Sequence, residues 1–271
     1  MRIERWFVCL LPLLLTACAA LKISTADSST GTFVDAPVQG VYYATATQTG
    51  LTDSAGKFSF KPGETVTFSI GNTTLGSMAA QSKITVIDLV SGATDETNDK
   101  VTNIARLLQA LDSNAGSGTI IVIPATVRTA MANIALDFSK TISAFASDAT
   151  LTTLLSSLGV SLVSTANAQS RLKTGIWKEC IAGTYTGTAT PDNQGSGASI
   201  TVTVSSTGAF SGTYTGGQSG TITGQMTTAY TGTGTATPDN ALVNVIAKSN
   251  GTVTGTFSGS SGSGTFILKK Q

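Results

Sequence analysis

Past a short leading segment, apolar residues recur along this 271-residue chain with two different periods. Over residues 31–90 the period is two. Phe58 and Phe60 alternate on one run, and Val66, Phe68 and Ile70 on the next, while residues 31–50 alternate with a Val, Tyr and Thr bias. Asp53-Ser54-Ala55-Gly56 and Lys61-Pro62-Gly63-Glu64 punctuate these runs as turns. The pattern predicts a small antiparallel β-sandwich over residues 31–95.

The period then lengthens to that of a helix. Val101, Ile104, Ala105, Leu107, Leu108 and Leu111 form one stripe, with Thr97 or Asn98 as N-cap and Asp99 in the first turn. This predicts a helix over 97–111, a turn over 112–118, and a short buried strand at 119–124. Ala-, Ser-, Thr- and Leu-rich stretches around 125–133, 147–158 and 163–175 predict further helices. Residues 96–176 therefore read as a helical segment.

From residue 177 the period returns to two. The octapeptide TGTATPDN stands at 186–193 and again at 233–240, 47 residues later. After each copy come a longer alternating strand, a Gly-containing turn and strand, and a Ser-Gly-Thr strand. Four strands per repeat predict about eight over residues 177–271, as an antiparallel β-barrel or two-sheet sandwich. The whole chain is expected to be α+β and mainly β. After Glu179 the charged residues are only Asp192, Asp239, Lys248, Lys269 and Lys270, so no charge protects an open sheet edge and closure is the economical solution. A barrel spanning the outer membrane is disfavoured, because the strands are short and many outward positions are Thr or Ser.

The first residues are of another kind. Arg2 and Arg5 precede an apolar run from Trp6 to Leu15, which is too short to cross a bilayer and is interrupted by Pro12. The run ends in Leu15-Thr16-Ala17-Cys18, which resembles the lipobox of bacterial lipoproteins. The resemblance implies a signal peptide over 1–17, lipidation at Cys18, and a polar tether over 18–30. Three acyl chains make the anchor effectively permanent. Ala19 after the Cys, in place of Asp, implies an outer-membrane destination.

Val34, Ala36-Pro37-Val38, Gly40-Val41 and Tyr43 are followed by Gly50-Leu51-Thr52-Asp53, Gly56-Lys57-Phe58, Gly63-Glu64 and Ile70-Gly71. Ile84–Val90 and Asn103–Asp112 continue the pattern. Over roughly residues 31–125 this order resembles an N-terminal module of proteobacterial surface lipoproteins, whose first half is similar to carboxypeptidase-regulatory or prealbumin-like sandwiches. It implies location and architecture more than activity. Ala166–Leu172 resembles the terminal helix of such modules, but Arg171 stands where they often carry His.

The chain has no His, which removes Ser-His-Asp and Cys-His catalysis and ordinary zinc sites. No catalytic residues and no cofactor are expected. Without residues 1–17, Lys+Arg falls from 16 to 14 and Asp+Glu from 15 to 14, so no basic field exists to hold nucleic acid. Cys9 leaves with the leader and Cys18 becomes a thioether, so Cys180 is the only remaining thiol, expected to be buried. Loop 112–118 offers too few carboxylates for Ca²⁺, and the acidic stretch 95–99 reads as helix capping. Gly208, Gly212, Gly216 and Gly217 precede no helix and form no phosphate loop. Trp177, Tyr185, Tyr214 and Tyr230 are candidates for a carbohydrate-binding face, with core or barrel-rim packing as the alternative; these aromatics and the barrel mouth are the candidate ligand-binding places.

The expectation is an outer-membrane-anchored lipoprotein with a non-enzymatic structural, adhesion or protein-binding role. Its partners would be the membrane, through the lipid, and an envelope protein or glycan. The alternative is a lipoprotein whose barrel binds a small apolar or glycan ligand. An interior filled by Thr, Ala and Val supports the first, and an open cavity of several hundred Å³ supports the second.

Overall fold

A computed structural model describes residues 28–115, 119–193, 195 and 197–271. The segment read as a signal peptide, Cys18 and most of the expected tether lie outside these residues. The described chain is mainly β, with several small sheets, a helical stretch and a closed antiparallel barrel.

The N-terminal body holds β1 (Ser29–Val34), β2 (Val38–Gln39), β3 (Tyr42–Ala44), β4 (Thr49–Leu51), β5 (Lys57–Phe60), β6 (Thr65–Ile70), β7 (Thr73–Ala79) and β8 (Lys83–Thr85). The strands form a three-stranded sheet, β5-β1-β8, and a four-stranded sheet, β4-β3-β6-β7. Aromatic rings join the two: Phe33 of β1 stacks on Phe68 of β6 with centroids 4.5 Å apart, and Phe58 meets Phe68 edge-on at 5.1 Å. Both expected turns form. The Asp53 carboxylate accepts the N–H groups of Ala55 and Lys57, and Glu64 accepts that of Lys61. The purely antiparallel expectation fails at two places. β8 runs parallel to β1, and β2 runs parallel to β9 (Ile121–Val122). Parallel neighbours need a long crossover, and the β2–β9 crossover contains the first helix.

That helix, α1 (Asp99–Ala110), is capped by Asn98, whose side chain accepts the N–H groups of Lys100 and Val101. Its apolar stripe is buried as expected, but so is its polar face. The segment around it leaves carbonyls pointing inward, and α1 satisfies them. Asn103 donates to the Phe138 and Lys140 carbonyls, Arg106 to those of Val163 and Ile142, and Gln109 to that of Ala168. The surrounding helices are α2 (Ala125–Ala130), α3 (Ile142–Ala146), α4 (Ala149–Leu158) and α5 (Thr165–Ile176). Asp148 and Ser164 cap α4 and α5, and Gly159 ends α4 in the left-handed region at φ 67°. A π-helical turn, Trp177–Ile181, continues α5 and delivers the chain to the barrel.

The barrel consists of β10 (Gly183–Pro191), β11 (Ala198–Val204), β12 (Ala209–Thr215), β13 (Gly220–Met226), β14 (Thr231–Ala236), β15 (Ala241–Ala247), β16 (Thr252–Gly259) and β17 (Gly262–Lys270). Each strand pairs with the next, and β17 closes on β10. The strand count and repeat boundaries match the expectation, with β10–β13 and β14–β17 as the two copies. Following the register from Pro191 through Gly264, Phe257, Val243, Gly234, Gly224, Phe210 and Val204 returns to β10 at Gly183, eight residues away. An eight-stranded barrel of such modest stagger has an interior that side chains can fill. Inward positions are apolar or Gly except Lys270 at the end of β17, and outward positions are predominantly Thr and Ser. A bilayer-spanning barrel needs the opposite, an apolar outward band.

Candidate ligand cavity at the barrel mouth

The barrel's two ends differ because its inward side chains change size along the strands. At one end stand Tyr185, Val202, Val204, Phe210, Met226, Val245, Val253 and Leu268, all buried. The Phe210 ring occupies the space that side chains at Gly224 and Gly234 would take: a Cβ at Gly224 would lie 2.2 Å from Phe210 Cζ, and one at Gly234 2.9 Å from it. Only about 30 Å³ remains free here.

This filled end docks on the N-terminal body and helices. The Trp177 Nε1–H donates to the Thr228 carbonyl at 3.0 Å, the Ala229 N–H donates to the buried Glu96 carboxylate at 2.8 Å, and the Tyr230 hydroxyl bonds Thr85 Oγ1 at 2.8 Å. Gln81 donates to Ser249, and the Lys270 ammonium donates to the Cys180 carbonyl at 2.9 Å. Trp177 and Tyr230 therefore serve the seam between barrel and body. Burial pushes the Tyr230 hydroxyl well above the usual phenol value, with the Asp88 carboxylate adding to the shift. Tyr185 donates its hydroxyl to the Ile181 carbonyl at 2.6 Å and packs the inner end.

The other end is open. Its inward ring is small, formed by Ala189, Ala198, Ala236 and Ala241, and it surrounds a cavity of about 260 Å³. Ile200, Ile222, Val243 and Phe266 border both this cavity and the filled end, so they form its floor. Phe257 and Tyr214 stand on the wall. Tyr214 is thus the one aromatic of the four candidates that faces the cavity, with its hydroxyl donated to the Thr237 carbonyl at 2.7 Å. Sequence reasoning passed over the alanines, although the repeat had pointed at them: Ala189 and Ala236 are the same residue of the two TGTATPDN copies. The rim carries Asn193, Gln218, Asp239, Ser261 and Ser263. The Ser261 backbone N–H holds the Asp239 carboxyl below its usual value, so it is ionised at neutral pH.

The remaining candidates resolve into structure. Asp95 accepts from Thr97, Asn98 caps α1 and Glu96 accepts from the barrel, which accounts for three members of the acidic stretch 95–99. Asp112 accepts the N–H groups of Asn114 and Val122, while residues 116–118 of that loop lie outside the described ones. Among the described residues no group of three or more His, Cys, Asp or Glu side chains could hold a metal ion. Cys180 is buried, and burial pushes its thiol up to about 12.

No family model, no curated protein and no solved structure matches this chain. The site is therefore defined by its own geometry: a closed barrel with one sealed end and one open, apolar end.

Proposed function

We propose that this protein is an outer-membrane lipoprotein, acylated at Cys18, whose barrel holds a small and mainly apolar ligand in its open mouth, without catalysing a reaction. The observation that carries the reading is the cavity of about 260 Å³ walled by Ala, Ile, Val, Phe and Tyr side chains. An apolar cavity of roughly 150 Å³ already takes up benzene, so this one suits an occupant of about ten non-hydrogen atoms. The sealed far end supports a storage or presentation role over a channel.

The test is calorimetric titration of 1-octanol into the full chain carrying Cys18→Ser, so that no acyl chain competes. At about 0.6 kcal/mol per non-hydrogen atom, the expected Kd is on the order of 0.1 mM. Ala189→Phe and Ala236→Phe, each folded by circular dichroism, should abolish the heat. Octanol uptake that is absent in the parent chain, or unchanged in both filled variants, overturns the cavity reading. The anchor is tested separately by the mass of the N-terminal peptide, which should begin at Cys18 and carry the acyl chains.

A structural or adhesive role is the second reading, and one observation favours it. Leu242 and Ile246 on β15 and Ile267 on β17 are 50%, 51% and 51% exposed, on an outer face made predominantly of hydroxyls and amides. Ile246 and Ile267 flank Thr254 in register. Such an apolar stripe suits contact with an envelope protein. Photocrosslinking from Ile246 in intact cells reads that partner directly.

A further inference from the structure

We propose that the mouth selects an amphiphile with a cationic, amine-type head, holding its apolar body in the cavity. The inference rests on the ligand reading above and adds the chemistry of the head. Between residues 183 and 271 the charged groups are Asp192, Asp239, Lys248, Lys269 and Lys270. The fold sorts them by sign. Lys248 sits in the turn from β15 to β16, Lys269 pairs with Thr252 and Thr186, and Lys270 donates to the Cys180 carbonyl, all at the docked end. Both carboxylates stand at the open end, because each closes one copy of the TGTATPDN repeat.

Their placement is built. Both lean on the hairpin between β16 and β17. Asp239 Oδ2 accepts the Ser261 N–H at 3.2 Å, and Asp192 Oδ2 accepts the Ser263 hydroxyl at 2.7 Å. Ser261, Ser263 and Asp239 all line the cavity rim. A molecule whose apolar part sits on the floor formed by Ile200, Ile222 and Val243 carries its head out past a rim that holds Asp239 and the Ser263 bonded by Asp192. Among the described residues no cation of the barrel stands at that end to receive an anionic head. A fatty-acid carboxylate would meet like charge there, and an ammonium would meet opposite charge.

Three probes with the same eight-carbon chain separate the possibilities: n-octylamine, protonated at neutral pH, 1-octanol and n-octanoate, each titrated into the full chain carrying Cys18→Ser. Each exposed carboxylate contributes little by itself. The amine should therefore bind about 3- to 10-fold tighter than the alcohol, and the carboxylate weaker than the alcohol. Asp192→Asn with Asp239→Asn keeps an accepting oxygen at each position and should equalise amine and alcohol. The preference should also shrink from low salt to about 0.5 M salt in the parent chain. Octanoate binding as tightly as octylamine, or an amine preference that survives the double variant, overturns the head-group inference while the cavity reading stands. Failure of all three probes overturns both.

Discussion

Asp35 provides a test of the fold's energetics that can be worked through in numbers. It follows β1, its carboxyl is buried, and Gln109 Nε2 of α1 donates to both of its oxygens at 3.1 Å. Burial pushes its carboxyl up to about 7 from 3.8, against the lowering effects of Gln109 and Arg171. In the unfolded chain an Asp releases its proton near pH 4. Between about pH 4 and pH 7 the native state therefore holds a proton that the unfolded state has lost. Stability from this group is fully present below about pH 4 and is lost as pH rises through 7. Three units at about 1.4 kcal/mol each set an upper figure near 4 kcal/mol, and we expect on the order of 2–4 kcal/mol. Asp35→Asn keeps an oxygen that accepts from Gln109 and removes the charge. Urea unfolding of parent and variant, followed by tryptophan fluorescence at half-unit steps from pH 4.5 to 8.5, gives the difference free of other titrating carboxylates. The variant should gain on the parent steadily up to about pH 7 and then level off. Two curves that stay parallel within about 0.5 kcal/mol across the range would refute the reasoning, as would a variant that loses ground at high pH.

Two further predictions address the barrel and the thiol. Gly224→Ala places a methyl 2.2 Å from Phe210 Cζ and 2.5 Å from the Thr233 carbonyl oxygen, and should cost about 1–3 kcal/mol in chemical unfolding. Combining it with Phe210→Leu should recover part of that loss, and additive single effects would show that the ring does not fill the glycine's space. Cys180, buried and with its thiol pushed up to about 12, should react with a disulfide reagent at pH 8 only as fast as the protein unfolds. A reaction within seconds in native buffer would place the thiol at the surface.

The barrel was legible because its two faces are chemically separate. In β11, inward Ile200, Val202 and Val204 alternate with outward Ser199, Thr201 and Thr203, and a period of two admits only one assignment of faces. α1 was legible as an element but not as the centre of its region. Asn103, Arg106 and Gln109 lie off the apolar stripe, and only the returning chain at 138–168 supplies the carbonyls that bury them. The parallel pairs β1·β8 and β2·β9 were not legible, since parallel register depends on crossovers that no local pattern encodes. The aromatic candidates misled for a related reason. Trp177 and Tyr230 bond across the seam between barrel and body and Tyr185 fills the sealed end, which leaves only Tyr214 of the four beside the cavity. The cavity was signalled by small residues, the alanine preceding Thr-Pro-Asp in each repeat copy.

The repeat itself argues that the open end is the functional one. Its copies are identical over eight residues, Thr186–Asn193 and Thr233–Asn240, and these run up the strand to the mouth and through the first residues of the following loop. One step before the identical stretch the copies differ: Tyr185 in the first corresponds to Gly232 in the second. Tyr185 is fully buried and bonded to the Ile181 carbonyl, whereas a Cβ at Gly232 would lie 2.9 Å from the Met226 sulfur. Such divergence suits an end that must fit a single asymmetric partner, the N-terminal body. Packing alone would set no such demand on a solvent-facing rim, where side chains are little constrained. The identical segment supplies a narrow glycine, a small inward alanine and a rim carboxylate at each of its two places, which are the features the cavity and its proposed cationic occupant require.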